Sequence, residues 1–278
     1  MAHLTELWRY PVKSMIGESL QTSQLTLNGL LGDRGWATRD EVRGGIRGAK
    51  KIGSLMRLAA RYLSEPTLTN PVPDVEITLP DGTIVRTSTD GLDAALSKAL
   101  DHEVKLFSLQ PVDALDHYRR GPADSEDFLE ELRDIFGREL DEPLPDLSKF
   151  PPVVFEYETP PGSYFDAFPM LLMTKQSLQT IDADVRRFRP NFVIDTGESS
   201  AGLPENEWIG NTVRIGECEL KVETECPRCV MVTRGFADMP EDRTVLRRVV
   251  KEANQNLGVY ATVTKPGKIS VGDEFSVV

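Results

Sequence analysis

Cysteine and histidine are scarce in this chain of 278 residues, with three of each. Three cysteines are too few for a secreted disulfide framework, and their odd number points to a reducing compartment, the cytoplasm. The histidines His3, His102 and His117 lie in the first half without paired spacing. They support neither a Ser-His-Asp arrangement nor a four-ligand zinc site. Long apolar runs are missing as well. No stretch approaches the roughly 20 residues of a membrane-spanning helix, and residues 1–10 lack the basic region and apolar core of a targeting segment. Positive charge is outnumbered, 32 basic against 44 acidic residues for a net charge of -12. That balance argues against electrostatic capture of nucleic acid or an anionic membrane. Gly29 and Gly32 do not form a dinucleotide fingerprint, no phosphate loop of the nucleotide-hydrolase type occurs, and no fixed-period repeat is present.

What is there is ordinary globular material, 40% hydrophobic, in a mixed α+β, strand-rich pattern. Strands are predicted over 3–10, 19–27 and 35–40. Residues 75–79 and 83–87 flank Pro80-Asp81-Gly82 and read as a hairpin, since Asp-Gly supplies the positive φ angles of a tight turn. A helix over 89–100, with Thr89 or Asp90 as cap, precedes a strand over 104–109. The acidic, proline-bearing stretch 121–152, with one helix over 125–136, reads as a surface connection and divides the chain into 1–120 and 121–278. Beyond it come a strand over 169–174, a helix over 175–188 and a strand over 191–195. Short strands over 208–215, 219–224, 229–233, 259–263 and 274–278 and a helix over 242–257 complete the reading. Many short strands with few helices suggest a barrel.

The chemistry concentrates in Cys226-Pro227-Arg228-Cys229. A thiolate is a nucleophile and a soft metal ligand, and an adjacent guanidinium favours its charged form. Cys-x-x-Cys also fits a zinc knuckle, a redox dithiol or two buried structural thiols. Zinc lacks two further ligands, and the extended reading of 230–233 does not supply the helix start that a redox dithiol usually occupies. Lys13-Ser14 places an ammonium beside a hydroxyl after a proline turn, a pair able to hold a phosphate or to sit solvated. Arg34 in Asp33-Arg34-Gly35-Trp36 and the Arg189-Pro190-Asn191 run are equally open. The basic, glycine-bearing loop 43–51 reads as mobile, or as a gate over an anionic ligand. Arg247 and Arg248, and the carboxylates between Asp124 and Glu131, read as solvated helix faces.

Taken in order, Leu7-Trp8-Arg9-Tyr10-Pro11-Val12-Lys13-Ser14, Gly32-Asp33-Arg34-Gly35-Trp36, Arg189-Pro190-Asn191-Phe192, Cys226-Pro227-Arg228-Cys229 and Leu257-Gly258-Val259-Tyr260 with 266–273 resemble the MOSC family. They do so over nearly the whole chain, and most of all its amidoxime-reducing branch. The resemblance implies a MOSC-type β-barrel domain behind an N-terminal β-barrel domain. It implies Cys229 as catalytic residue and thiolate ligand of molybdenum in a molybdopterin cofactor. Lys13, Ser14 and Arg34 fall at the positions that hold the cofactor phosphate, and Arg189, Asn191, Arg228 and Tyr260 at further cofactor contacts. Thr174 and Lys175 occupy a contact position that usually carries other residue types. Pro227 departs from the serine often found there.

The activity so implied is reduction of small N-hydroxylated or N-oxygenated compounds, the metal cycling between Mo(VI) and Mo(IV). Because the chain lacks the fused iron-sulfur domain of some bacterial relatives, a separate ferredoxin-, flavoprotein- or cytochrome-type donor is expected. Two rivals remain open at this point: a carrier of the cofactor or its sulfur, with a persulfide on Cys229, and a metal-free dithiol protein. Cys226 has no role beyond a structural one.

Overall fold

Short apolar runs broken by glycine, proline and aspartate give sixteen strands and six α-helices among residues 1–199 and 201–278, the part that the computed structural model describes. The first third supplies β1 (His3–Arg9), β2 (Glu18–Leu20), β3 (Thr22–Thr26), β4 (Gly29–Leu30), β5 (Trp36–Asp40), β6 (Ala59–Tyr62), β7 (Val75–Thr78) and β8 (Ile84–Arg86), then α1 (Leu92–Leu100) and β9 (Val104–Ser108). Three helices follow without a strand: α2 (Leu115–Tyr118), α3 (Phe128–Phe136) and α4 (Val153–Glu156). The rest runs β10 (Met170–Thr174), α5 (Lys175–Ile181), β11 (Phe192–Asp195), β12 (Thr212–Ile215), β13 (Cys218–Pro227), α6 (Arg243–Glu252), β14 (Asn256–Lys265), β15 (Gly267–Ser270) and β16 (Phe275–Val277).

One eight-stranded sheet, ordered β16-β12-β13-β14-β10-β11-β1-β2, organises the molecule. Its strands are antiparallel except for β10 beside β11. β1 pairs with β11 so that Leu7 faces Phe192. Both ends of the chain therefore build one core, in which Leu4, Leu7, Leu172, Phe192, Ile194 and Val259 are fully buried. The sheet curls back on itself: the Leu4 N–H donates to the Asp273 carbonyl at 2.9 Å and the Phe275 N–H to the Ala2 carbonyl at 2.9 Å. A second core lies beneath β6–β8 and α1, and a third between α5, α6 and residues 188, 232 and 257. The candidate site lies where these cores approach one another.

The hairpin forms as the Asp-Gly turn predicts, with β7 and β8 joined through Leu79 and Thr83. Other expectations change. Residues 229–233 are not a strand: Val230–Thr233 is a 3-10 turn whose Val232 and Thr233 are both buried. Val232 packs instead with Val245 and Val249 of α6. The helix expected over 175–188 stops at Ile181, where Asp182 turns left-handed at φ 51°, and a separate 3-10 turn spans Val185–Arg187. Trp208 ends the 3-10 turn Pro204–Trp208, so β12 starts only at Thr212. Neither Thr89 nor Asp90 caps α1, which begins after the left-handed Gly91. Asp127 caps α3, accepting from the N–H groups of Leu129 and Glu130. The helix expected over 242–257 ends at Glu252, and Asn256 already belongs to β14. Arg247 and Arg248 are committed rather than solvated: Arg248 Nε donates to the Ile181 carbonyl at 2.8 Å, and Arg247 to Glu142 and the Gly137 carbonyl.

Because β1 lies inside the sheet shared by both ends of the chain, Leu7→Ala is expected to cost about 2–5 kcal/mol. Urea denaturation should then show one cooperative transition moved to lower urea, not early release of the N-terminal third.

Candidate functional site

A cavity of about 390 Å³ opens between the two ends of the chain, lined at one end by cations and at the other by phenylalanines. Asp33 assembles the cationic end. Its Oδ1 accepts the Tyr10 N–H at 2.8 Å, and its Oδ2 accepts from Arg34 and, at 3.0 Å, from the Asn191 amide. Three segments far apart in sequence are thus held by one carboxylate whose side chain is only 5% exposed. Tyr10 completes the joint. Its hydroxyl donates to the Pro190 carbonyl at 3.0 Å, and the guanidinium groups of Arg34 and Arg189 lie over its ring, 5.2 and 4.1 Å from the centroid.

Lys13 and Ser14 leave this joint toward the cavity between Val12 and Met15, both fully buried. Lys13 Nζ donates to the Tyr164 carbonyl at 3.0 Å and to Asp166. Ser14 Oγ accepts the Ala49 N–H at 2.9 Å, which leaves its own proton free to donate. A Cβ at Gly48 would lie 2.7 Å from that oxygen, so glycine is what lets the loop close over Ser14. Ser14, Arg34 and Arg189 have φ of 68°, 51° and 57°, a region that non-glycine residues seldom adopt and that costs energy.

Electrostatics distinguishes this end from the acidic surface. Burial brings the Arg189 pKa down to about 10. Its Nη1 donates to the Met15 carbonyl, while its buried Nη2 has no partner among the described residues. Burial likewise pushes the Lys13 ammonium below its ordinary value, against the pull of Asp166. Asp166 pairs with Lys13 and, at 3.2 Å, with Lys50. Against the upward push of burial, Lys13 and Lys50 hold its carboxyl well below the usual carboxylate range. Four cations, Lys13, Arg34, Lys50 and Arg189, thus face two carboxylates, Asp33 and Asp166. The surplus of positive charge suits a dianion.

The cysteines are not equivalent. Along β13 every second residue is buried, and Cys226 is the last of these inward positions, 2% exposed. Burial raises its thiol pKa, and its Sγ lies 4.0 Å from the Pro227 carbonyl. Cys229 lies two residues past the strand, half-buried, lining the cavity. Arg228 does not direct a free donor toward that sulfur. Its Nε donates to the Leu257 carbonyl at 2.8 Å and its Nη1 to the Phe188 carbonyl at 2.9 Å, so it fixes the backbone that carries Cys229. Arg138 supports the same turn from α3's end, Nη2 to the Arg228 carbonyl at 3.0 Å and Nε to Gln255 at 3.1 Å. Tyr260 stacks with Phe168 at 5.3 Å between ring centroids, with Phe150 edge-on at 6.2 Å.

Of the residues singled out from sequence, Lys13, Ser14, Arg34, Arg189, Asn191, Arg228, Cys229 and Tyr260 all line this cavity. Thr174 and Lys175 do not. Thr174 is fully buried, caps α5 and donates to Glu205 at 2.7 Å, while Lys175 pairs with Asp195 at 3.2 Å. Of the carboxylates of 124–131, Glu126, Asp127 and Glu130 are exposed as expected of a helix surface, but Asp124 pairs with Arg43, Arg47 and Lys51, and the buried Glu131 with Lys51 at 2.5 Å. These ion pairs hold the basic loop 43–51 against α3. Asp166 and Arg138 escape sequence reasoning as site residues, while Lys50 comes from the basic loop read as mobile or as a gate over an anionic ligand. Only the need of buried lysines for an anion could have pointed to Asp166.

Asp33→Ala removes the shared acceptor and should cost about 3–5 kcal/mol, measured by urea denaturation. Asp166→Asn should instead tighten inorganic phosphate binding at least about tenfold, read by calorimetry, because an anion no longer competes for Lys13 and Lys50.

Two family models match the chain. The MOSC N-terminal beta barrel domain matches residues 1–108 and the MOSC domain residues 164–276. The chain is similar to mitochondrial amidoxime reducing component 2 of Bos taurus, 26% identical over 97% of this chain and 81% of that protein. It is similar to mitochondrial amidoxime-reducing component 1 of Mus musculus, 27% identical over 97% and 80%. A shorter match, 29% identical over 39% of this chain and 14% of the other, is to the molybdenum cofactor sulfurase of Drosophila willistoni. With both models matched in order along it, the chain belongs to the MOSC-domain family and carries that family's N-terminal β-barrel domain ahead of the MOSC domain.

Proposed function

We propose that this protein is a molybdenum-cofactor-dependent reductase of small N-hydroxylated or N-oxygenated compounds, served by a separate electron-donor protein. The observation that carries the reading is the pairing, within one cavity, of a half-buried thiol with a surplus of buried cations. Its residues fit a molybdopterin group in three respects. Arg189 Nη2 is buried without a partner, two positive charges stand uncompensated, and Cys229 offers the soft sulfur that molybdenum accepts. The relatives named as amidoxime reducing components support the substrate class.

In this reading Cys229 Sγ is the protein ligand of the metal. Lys13 Nζ, Ser14 Oγ–H, Arg34 and Arg189 Nη2 hold the terminal phosphate, with Lys50 adding charge. The bound cofactor supplies the two-electron redox chemistry. Asp33 fixes Arg34 and Asn191 in advance, so the phosphate end needs little rearrangement on binding. Asn191 acts on the protein rather than on the ligand, since its Oδ1 accepts the Leu171 N–H at 3.1 Å and its amide meets Asp33. Arg228 and Arg138 keep the Cys229 turn from moving under the metal. The phenylalanine end of the cavity favours an enzyme over a cofactor or sulfur carrier, because a carrier needs no space for a third molecule. A reducing compartment such as the cytoplasm belongs to the same proposal, and all three cysteines are unpaired. Among the described residues no helix is long and apolar enough to cross a membrane.

Protein made in a cofactor-competent host should hold about one molybdenum per chain by elemental analysis and reduce benzamidoxime with an artificial donor. Cys229→Ala should keep its thermal transition and lose the activity by at least about a thousandfold. Full turnover by that variant would sink the ligand assignment.

A further inference from the structure

The helix α3 is amphipathic in an unusual direction. Phe128, Leu132, Ile135 and Phe136 follow the i, i+4, i+7, i+8 spacing of one helical face, yet none of them belongs to any of the protein's hydrophobic cores. All four line the cavity instead, where Phe155 of α4 and Phe150 join them. Phe128 and Phe155 are 67% and 51% exposed at the mouth.

This apolar wall begins beside Cys229, on the side away from the phosphate end. The Gly137 position that ends α3 lies against Val230, with a Cβ there 3.4 Å from the valine Cβ. Arg138, the next residue, holds the Arg228 carbonyl. The charges that border the wall are already engaged: Arg47 and Lys51 with Asp124, Lys51 with Glu131, and Arg120 with Glu158 at 2.9 Å, while Arg138, Arg187 and Arg228, which have no carboxylate partner among the described residues, donate to backbone carbonyls. A molecule reaching from Cys229 toward solvent therefore meets aromatic and aliphatic carbon, and no spare ion to match a charge of its own.

We infer that the substrates are N-oxygenated compounds whose remainder is an uncharged aromatic or aliphatic body, seated on the α3 face and capped by Phe155. The inference rests on the reductase reading for its reacting group, but the wall selects the body independently of the chemistry. Each methylene buried there should tighten binding about three- to fourfold.

The test is calorimetric and needs no turnover. Acetamidoxime, benzamidoxime and 4-butylbenzamidoxime are titrated into the oxidised protein as purified, without an electron donor. Affinity should rise at least about tenfold at each step, with a negative heat-capacity change. A 4-carboxy-benzamidoxime should bind at least about tenfold more weakly than benzamidoxime. Leu132→Ala and Phe155→Ala should each flatten the series and leave acetamidoxime affinity unchanged. A flat series in the parent protein overturns the inference. So does a pair of variants that alter only the rate of reduction by a donor protein, which would make the face a protein-docking surface. Absence of molybdenum and of benzamidoxime reduction would instead defeat the reductase reading, while a steep affinity series would still stand.

Discussion

The joint of Tyr10, Arg34 and Asn191 at the cationic end depends on the Asp33 carboxylate. Arg34 is its sequence neighbour, Tyr10 ends the first strand, and Asn191 lies 158 residues further along. Without a common acceptor, the Arg34 guanidinium would lose its fixed direction and the Asn191 amide would be buried without this partner. The barrel brings these segments near each other through β1 and β11. The carboxylate then converts proximity into a fixed arrangement, which packing alone does not supply. Its two oxygens are directed by the protein, so the charges that face the cavity are set before any ligand arrives.

The protein thus separates two electrostatic regimes. Its net charge is -12, while this cavity holds a local positive excess that a dianion would neutralise. Such a contrast draws anions inward against an overall repulsion, and it works because the cavity is small and partly shielded from solvent, where charge acts more strongly than at the surface. The thiol lies between this excess and the apolar wall. The proposed reductase, handling a polar N–O group on a carbon body, would use such a gradient of polarity, with the Cys229 thiol at its midpoint.

Much of the site was legible only through the order of its motifs along the chain. Taken singly, Lys13, Ser14, Arg34, Arg189 and Asn191 read equally well as solvated turn residues, and it was the family resemblance that marked them together with Arg228, Cys229 and Tyr260; the structure places most of them in turns beside strands and Tyr260 within β14. Roles were less legible than positions. Arg228 reads naturally as a charge beside a thiol, but its donors are taken by the Leu257 and Phe188 carbonyls, backbone groups that no local pattern reveals. Thr174 and Lys175 lie at the start of α5, where their side chains serve a helix cap and a surface ion pair. Asp166 stands in a loop without periodicity, and its meaning comes only from the two lysines that the fold brings to it. In the fold, most strands and the hairpin were read, but β6 and β15 were missed, 229–233 was taken for a strand, and the helix ends were placed poorly. Asp182 stops α5 by turning left-handed and Ala253 stops α6 by leaving helical angles at φ -128°, where periodicity alone would continue each helix.

Ser14, Arg34 and Arg189 all adopt backbone angles at which glycine would be more comfortable. Replacing each with glycine would relieve about 1–2 kcal/mol of conformational strain while deleting a hydroxyl or a cation from the cavity. At Arg34 that relief is outweighed by leaving Asp33 buried without its guanidinium, whereas Arg189 has no carboxylate partner among the described residues to lose, so selection for thermal robustness alone would erode the cation at position 189 first. The discomfort of these three residues is a record, written in the backbone, of what their side chains are kept for.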